Sequence, residues 1–172
     1  MTIQISEYID AIPDFPKPGI LFRDISPLLN SPEAFSLAVD QLADYAKSLG
    51  ASSLVAIESR GFIFGAPVAL RAGLPLALVR KPGKLPGTTE RIDYGLEYGS
   101  DALEIKHGVI QAGTRVAIID DVLATGGTAA ATASLIARLG ASVAGYVFLA
   151  ELCGLGGRSK LGDVPVHSLL DF

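Results

Sequence analysis

The chain has 172 residues, 49% of them hydrophobic and 19% charged, with 19 glycines and 10 prolines spread along it and a formal net charge of −4. A chain of this length buries a continuous core without disulfide or metal staples, and its balance of apolar and charged residues excludes a disordered tail. The lone Cys153 excludes an intramolecular disulfide, no zinc-like Cys/His spacing surrounds it, and the acidic excess argues against a broad nucleic-acid surface.

Met1 to Asp10 has neither the basic nor the apolar segment of a secretion signal. No apolar run reaches the roughly 20 residues of a membrane-spanning helix. A soluble, cytoplasmic protein of one domain, residues 1–172, with no membrane partner is therefore expected. From Ser31 onward, strand-length apolar runs alternate with helical patterns, the order of an α/β fold with a mostly parallel central sheet flanked by helices. Ser31-Pro32-Glu33 caps a helix whose apolar positions (Phe35, Val39, Leu42, Ala46, Leu49) recur at helical spacing until Gly50. Leu54 to Ile57 reads as a buried strand, Gly61 to Arg71 as a helix and Leu76 to Val79 as the next strand. The stretch Lys81 to Ser100 breaks the alternation with glycines, prolines, threonines and charges, and reads as a long loop, functional or mobile. Ala102 to Ile105 is a short strand candidate. Thr114 to Ile119 is β-branched and the clearest buried strand. A helix over Thr128 to Leu139, a strand over Ser142 to Leu149 and an edge strand over Val164 to Leu170 complete the chain.

The chemistry concentrates in IIDDVLATGGT, Ile118 to Thr128: a buried strand, two carboxylates after it, and a small-residue turn feeding a helix. Ligands of open α/β sheets bind beyond the carboxyl ends of strands, which places Asp120 and Asp121 at a site. Ala124, Thr125, Gly126, Gly127 and Thr128 suit an anion, because glycines let backbone N–H groups approach and a helix start adds unpaired N–H groups and a positive dipole end. Two carboxylates would repel that anion unless they met sugar hydroxyls or a hydrated Mg²⁺; a ribose 5-phosphate satisfies both sets of groups. A Walker-type loop is excluded, since no Gly-Lys-Ser/Thr ending is present.

The string Asp120 to Thr128 resembles the phosphoribosyl-diphosphate signature of type I phosphoribosyltransferases. PDFPKPGILFRDISP (Pro13 to Pro27), ESRGF (Glu58 to Phe62), RKPGKLPG (Arg80 to Gly87) and LEYG (Leu96 to Gly99) resemble the adenine-using members of that family, in the family's order. The resemblance implies transfer of the 5-phosphoribosyl group from 5-phospho-α-D-ribose 1-diphosphate to adenine, giving AMP and diphosphate. Xanthine or guanine as the base, and a nucleic-acid-binding sensor of the sugar diphosphate, are the competing readings. It also implies Mg²⁺ held mainly through the diphosphate, a small hood over the purine from residues 1–30, a flexible catalytic loop at 81–101, and a homodimer in which Arg80 is the candidate to reach the neighbour's site.

Carried over residue by residue, the resemblance gives the diphosphate to Glu58, Ser59, Arg60, Arg80, Lys81 and Lys84, with an unusual or cis peptide expected after Glu58. Taken alone, any one of these lysines is equally a solvated charge. Asp120, Asp121 and Arg60 would act on the oxocarbenium-like transition state, where developing positive charge meets negative potential. Glu97 would exchange a proton with the purine and Tyr98 would help close the loop; by composition Glu97 is one of 18 acidic residues. Leu21, Phe22 and Arg23 match the adenine-contacting stretch, although a core role for Leu21 and Phe22 is the ordinary alternative. His107 and His167 read as structural or surface histidines, Cys153 as a small core residue, and Asp163 and Asp171 as solvated acids.

Overall fold

The computed structural model describes residues 3–96 and 99–172, so Glu97 and Tyr98 lie outside the described residues. The chain forms two compact units, Met1–Gln41 and Leu42–Phe172. In the first, strands β1 (Asp10–Pro13) and β2 (Leu21–Asp24) pair antiparallel, with Ile12 opposite Phe22 and Pro13 opposite Leu21. Their connection is closed by Gly19 N–H donating to Asp14 Oδ1 at 2.7 Å and Phe15 N–H to Ile20 C=O at 3.2 Å, and Phe15 meets Phe22 edge-on at 5.2 Å. A one-turn helix α1 (Ser26–Leu29) follows, and α2 (Pro32–Ser48) begins with the Ser31 hydroxyl accepting from Ala34 N–H.

The second unit holds β3 (Ser53–Ile57), α3 (Gly61–Ala72), β4 (Leu76–Arg80), β5 (Thr89–Leu96), β6 (Gly99–Lys106), β7 (Arg115–Leu123), α4 (Gly127–Arg138), β8 (Ser142–Glu151) and β9 (Val166–Asp171). Its seven-stranded sheet runs β5-β6-β4-β3-β7-β8-β9, parallel from β4 through β9 and antiparallel where β6 meets β4 and β5. All five residues of β3 are buried, as a parallel strand covered on both faces requires. One face presents Val55, Ile57, Val116, Ile118, Tyr146 and Phe148 to Ala129, Leu135 and Ile136 of α4. On the other, Ala56 and Ile119 lie beneath Gly65 of α3. The mostly parallel α/β sheet is thus as the sequence predicts, with β9 at the edge. Among the described residues no helix is long and apolar enough to cross a membrane.

Two expectations are corrected. The stretch 81–101 is no structureless loop, because β5 and β6 form a hairpin in full register from Thr89–Lys106 to Leu96–Gly99. Its pattern is hard to see because β5 sets the charged Glu90 on the same face as Ile92 and Tyr94; Glu90 meets Arg138 of α4 at 3.3 Å. Charges on an edge strand also discourage pairing with another chain. The second correction concerns β7, which continues past Ile119 to Leu123, so the acidic pair lies within the strand. The extension is supported by β8, through Val122–Ala150 and Leu123–Glu151 pairing and by Leu152 N–H donating to Leu123 C=O at 2.9 Å.

At Gly65 α3 lies tightly against the sheet: a Cβ there would lie 2.5 Å from the Ala56 Cβ. Gly65→Ala gains about 1 kcal/mol of helix propensity, but overpacking costs roughly 1–3 kcal/mol. A net loss of stability in urea unfolding is the expected result; a variant as stable as the parent would show that α3 packs less tightly than described.

Candidate active site

The parallel arrangement sets the carboxyl ends of β3, β4 and β7 side by side. The chain leaves β3 toward β4 on one side and returns as β7 on the other, so β3 and β7 flank the switch point where such sheets bind ligands. A cleft of about 260 Å³ opens there. Glu58, Ser59 and Arg60 border it after β3, Lys81 after β4, Asp120 and Asp121 on β7, and Ala124 to Thr128 around the turn. The sequence-derived residues for sugar phosphate and diphosphate therefore converge, apart from Arg80 and Lys84, which stand beside the cleft through Glu58.

The turn is built on two glycines with different reasons for being glycine. Gly126 has φ +79°, and a Cβ there would collide with the carbonyl of Gly157, so it is required by the backbone. Gly157 in turn could not carry a Cβ against the Ala124 carbonyl. At Gly127, by contrast, a Cβ would meet nothing within 4 Å. Its missing side chain leaves the cleft open. The first α4 bond, Ala130 N–H to Gly126 C=O at 3.0 Å, leaves the N–H groups of Gly127, Thr128 and Ala129 ahead of the helix ladder. Together with the helix dipole they make an anion site.

Asp121 is buried and its Oδ2 meets Arg60 Nε at 2.8 Å, while Asp120 Oδ1 accepts the Asp121 N–H at 2.8 Å. Burial pushes the Asp120 carboxyl well above the usual carboxylate range, and the charge on Asp121 adds to the rise. Burial also raises Asp121, against the pull of Arg60. Two carboxyls so enclosed gain from a ligand that donates hydroxyl hydrogens to them. Gly61 makes the arrangement possible, since a Cβ there would lie 2.8 Å from Asp120 Oδ1 and 3.2 Å from the Ile119 carbonyl.

The peptide between Glu58 and Ser59 is cis, as the resemblance implies. The Glu58 carboxylate gathers two cationic side chains, Arg80 (Nη2 at 3.2 Å, Nε at 3.3 Å) and Lys84 (Nζ at 2.7 Å), and also accepts the Lys81 backbone N–H at 2.7 Å. Burial alone would raise its pKa, but hydrogen bonds from Lys84, Lys81 and Arg80 outweigh burial and hold it at about 2. Glu58 thus orients the cations that flank the cleft, and Arg80, expected to reach a neighbouring subunit, is engaged within its own chain. Lys81 Nζ forms an ion pair with Asp101 Oδ2, which also accepts from the Tyr94 hydroxyl at 3.2 Å. Tyr94 lies 3.3 Å from Thr128 Oγ1. Neither Tyr94 nor Asp101 was legible as a site residue, because their meeting depends on hairpin register.

Glu97 and Tyr98 lie outside the described residues. Leu21, Phe22 and Arg23 form β2 of the first unit; Leu21 is 48% exposed, against its core alternative, and Phe22 is half-buried beside Phe15. Cys153 is exposed, which corrects its reading as a core residue: it follows the end of β8 in a one-turn segment with little packed over it. His107 meets Glu90 at 3.5 Å on the surface, His167 stacks on Tyr45 at 3.9 Å, and Asp171 accepts from the Ser168 hydroxyl.

Residues 36–161 match the model of the phosphoribosyl transferase domain family. An adenine phosphoribosyltransferase of a Synechococcus strain is 50% identical over 170 residues, covering 99% of each chain. Among solved structures, adenine phosphoribosyltransferase of Thermoanaerobacter pseudethanolicus superposes with a TM-score of 0.94 at 47% identity, covering 98% of both chains. The Saccharomyces cerevisiae enzyme, solved with an imino-altritol bisphosphate and adenine, gives 0.90 at 41% identity, covering 96% of both. With the family model spanning most of the chain, and relatives of half-identical sequence matching nearly all of it, the chain belongs to the adenine phosphoribosyltransferases of the phosphoribosyl transferase domain family.

Proposed function

We propose that the cleft beyond β3, β4 and β7 transfers the 5-phosphoribosyl group of 5-phospho-α-D-ribose 1-diphosphate to adenine, forming AMP and diphosphate. The observation that carries this reading is the convergence of an anion-binding helix start and an adjacent carboxyl pair, Asp120 with the buried Asp121, in one cleft. An anion alone does not explain the carboxyls; a phosphorylated sugar does. In this arrangement Ala124 to Thr128 hold the 5-phosphate, and Asp120 and Asp121 hold the ribose hydroxyls and oppose the positive charge that develops on the ring as diphosphate leaves. Arg60, Lys81, Arg80 and Lys84 supply positive potential on the diphosphate side.

The donor set fits Mg²⁺ carried by the substrate better than a resident ion. One Asp121 oxygen is taken by Arg60 and one Asp120 oxygen by a backbone N–H, which leaves too few free carboxylate oxygens for a protein-built site. When bound, the ion would neutralise charge on the leaving diphosphate. Leu21, Phe22 and Arg23 are proposed to contact the base, Glu97 to exchange a proton with its ring nitrogen, and Tyr98 to help shield the reaction from water. A cytoplasmic homodimer is part of the same reading.

Purified protein offered each purine with the sugar diphosphate tests the activity: adenine is consumed, and comparable rates with hypoxanthine or guanine would sink the assignment of base. Gly127→Val should fold normally, because its side chain points into open space, yet lose at least about tenfold in affinity for ribose 5-phosphate. Wild-type affinity in that variant would move the phosphate elsewhere. Glu97→Gln should lower kcat far more than affinity for the sugar diphosphate, and undiminished turnover would remove Glu97 from the mechanism.

A further inference from the structure

The Lys81 ammonium borders the cleft, but its partner is Asp101 of β6. Asp101 sits directly opposite Tyr94 across the hairpin, so sheet register alone puts both side chains on one face. Its Oδ1 accepts its own chain's Ala102 N–H at 2.8 Å, and its Oδ2 serves both Lys81 and the Tyr94 hydroxyl. The Tyr94 oxygen in turn lies beside Thr128, on the first turn of α4. A continuous path of polar contacts, Lys81 to Asp101 to Tyr94 to Thr128, therefore joins two residues that line the cleft, Lys81 on its diphosphate side and Thr128 on its 5-phosphate side.

We propose that Asp101 is an internal competitor of the diphosphate for Lys81, and that Tyr94 ties this competition to the phosphate loop at Thr128. Asp101 is then a positioning residue, acting through Lys81 and Tyr94. In the empty cleft its carboxylate neutralises an ammonium that would otherwise be partly buried without a counter-ion. A multiply charged diphosphate draws the ammonium toward itself, but must do so against the attraction of Asp101. The cost weakens diphosphate binding and so favours release of that product. As Lys81 turns away, Asp101 is left to Tyr94, and the shared hydroxyl beside Thr128 is redirected. The pKa directions agree with such a pair: burial would lower Lys81, yet its interactions with Asp101 and Tyr94 together outweigh burial and raise it, while the Lys81 hydrogen bond holds Asp101 down.

This inference rests on the reading that Lys81 faces the diphosphate, and the test separates the two. Binding of magnesium diphosphate is measured by calorimetry for the parent, Asp101→Asn, Lys81→Met and the double variant, with thermal melts to verify folding. Asp101→Asn should tighten diphosphate by about fivefold and lower kcat through slower release, and the tightening should vanish in the Lys81→Met background. Asp101→Ser, which removes the charge with a smaller side chain, should behave like Asp101→Asn. If Lys81→Met binds diphosphate as the parent does, the reading of Lys81 fails. If Lys81→Met weakens binding but Asp101→Asn leaves it unchanged, weakens it, or tightens it equally in both backgrounds, the competition fails. The Tyr94 arm is read with ribose 5-phosphate: Asp101→Asn should alter its affinity in the Tyr94 protein and not in Tyr94→Phe, and an equal change in both would remove that arm.

Discussion

The cleft depends on how closely backbone can approach the end of β7. From one side the start of α3 comes so near that only glycine fits at position 61, against the Asp120 carboxyl and the Ile119 carbonyl. From the other, Gly157 presses its carbonyl against Gly126 and lies in turn on the Ala124 carbonyl. Gly157 opens a short turn whose next residue, Arg158, is tied to the buried Glu151 at 2.6 Å and to the Val166 carbonyl at 2.8 Å. Glu151 is the strand partner of Leu123, so the brace returns to β7 itself. Between these two contacts the phosphate turn has little room to take another shape, and its N–H groups are held ready for an anion before any ligand arrives.

The charges around this frame are almost all matched, and the matching explains how a cationic rim survives on an acidic chain. Glu58 gathers Arg80 and Lys84, Asp121 holds Arg60, and Asp101 holds Lys81. Each pair spares the empty site a concentration of like charge. A diphosphate carrying several negative charges can still recruit these cations, because Arg60, Lys81 and Lys84 keep between a third and a half of their side-chain surface exposed. The rim is thus ordered without being fully spent, which is the condition for binding a highly charged substrate and then releasing a highly charged product.

How much of this was legible follows from which contacts are local. The strand, carboxyl pair, glycine turn and helix of Ile118 to Thr128 are contiguous, so their chemistry is visible in one stretch, as is that of Glu58 to Arg60. The sheet class is equally visible, because buried parallel strands such as β3 and β7 are uninterrupted apolar runs. The β5–β6 hairpin was hidden: its inward face carries Glu90 beside Ile92 and Tyr94, and its stability comes from Arg138 and from α4, distant in sequence. Tyr94 and Asp101 were missed for the same reason. The different roles of Gly126 and Gly127, and the need for glycine at 61 and 157, are tertiary facts that no local pattern expresses. Where β7 ends was misread because acidic residues ordinarily close a buried strand, whereas here pairing with β8 continues past them to Leu123.

The account's central claim is that the backbone of the turn after β7 holds the sugar's 5-phosphate. Amide hydrogen exchange with and without ribose 5-phosphate tests it most directly. Slowed exchange at the N–H groups of Gly126 to Ala129, with the β9 edge unchanged, is the result predicted. Protection elsewhere with none at this turn would contradict it.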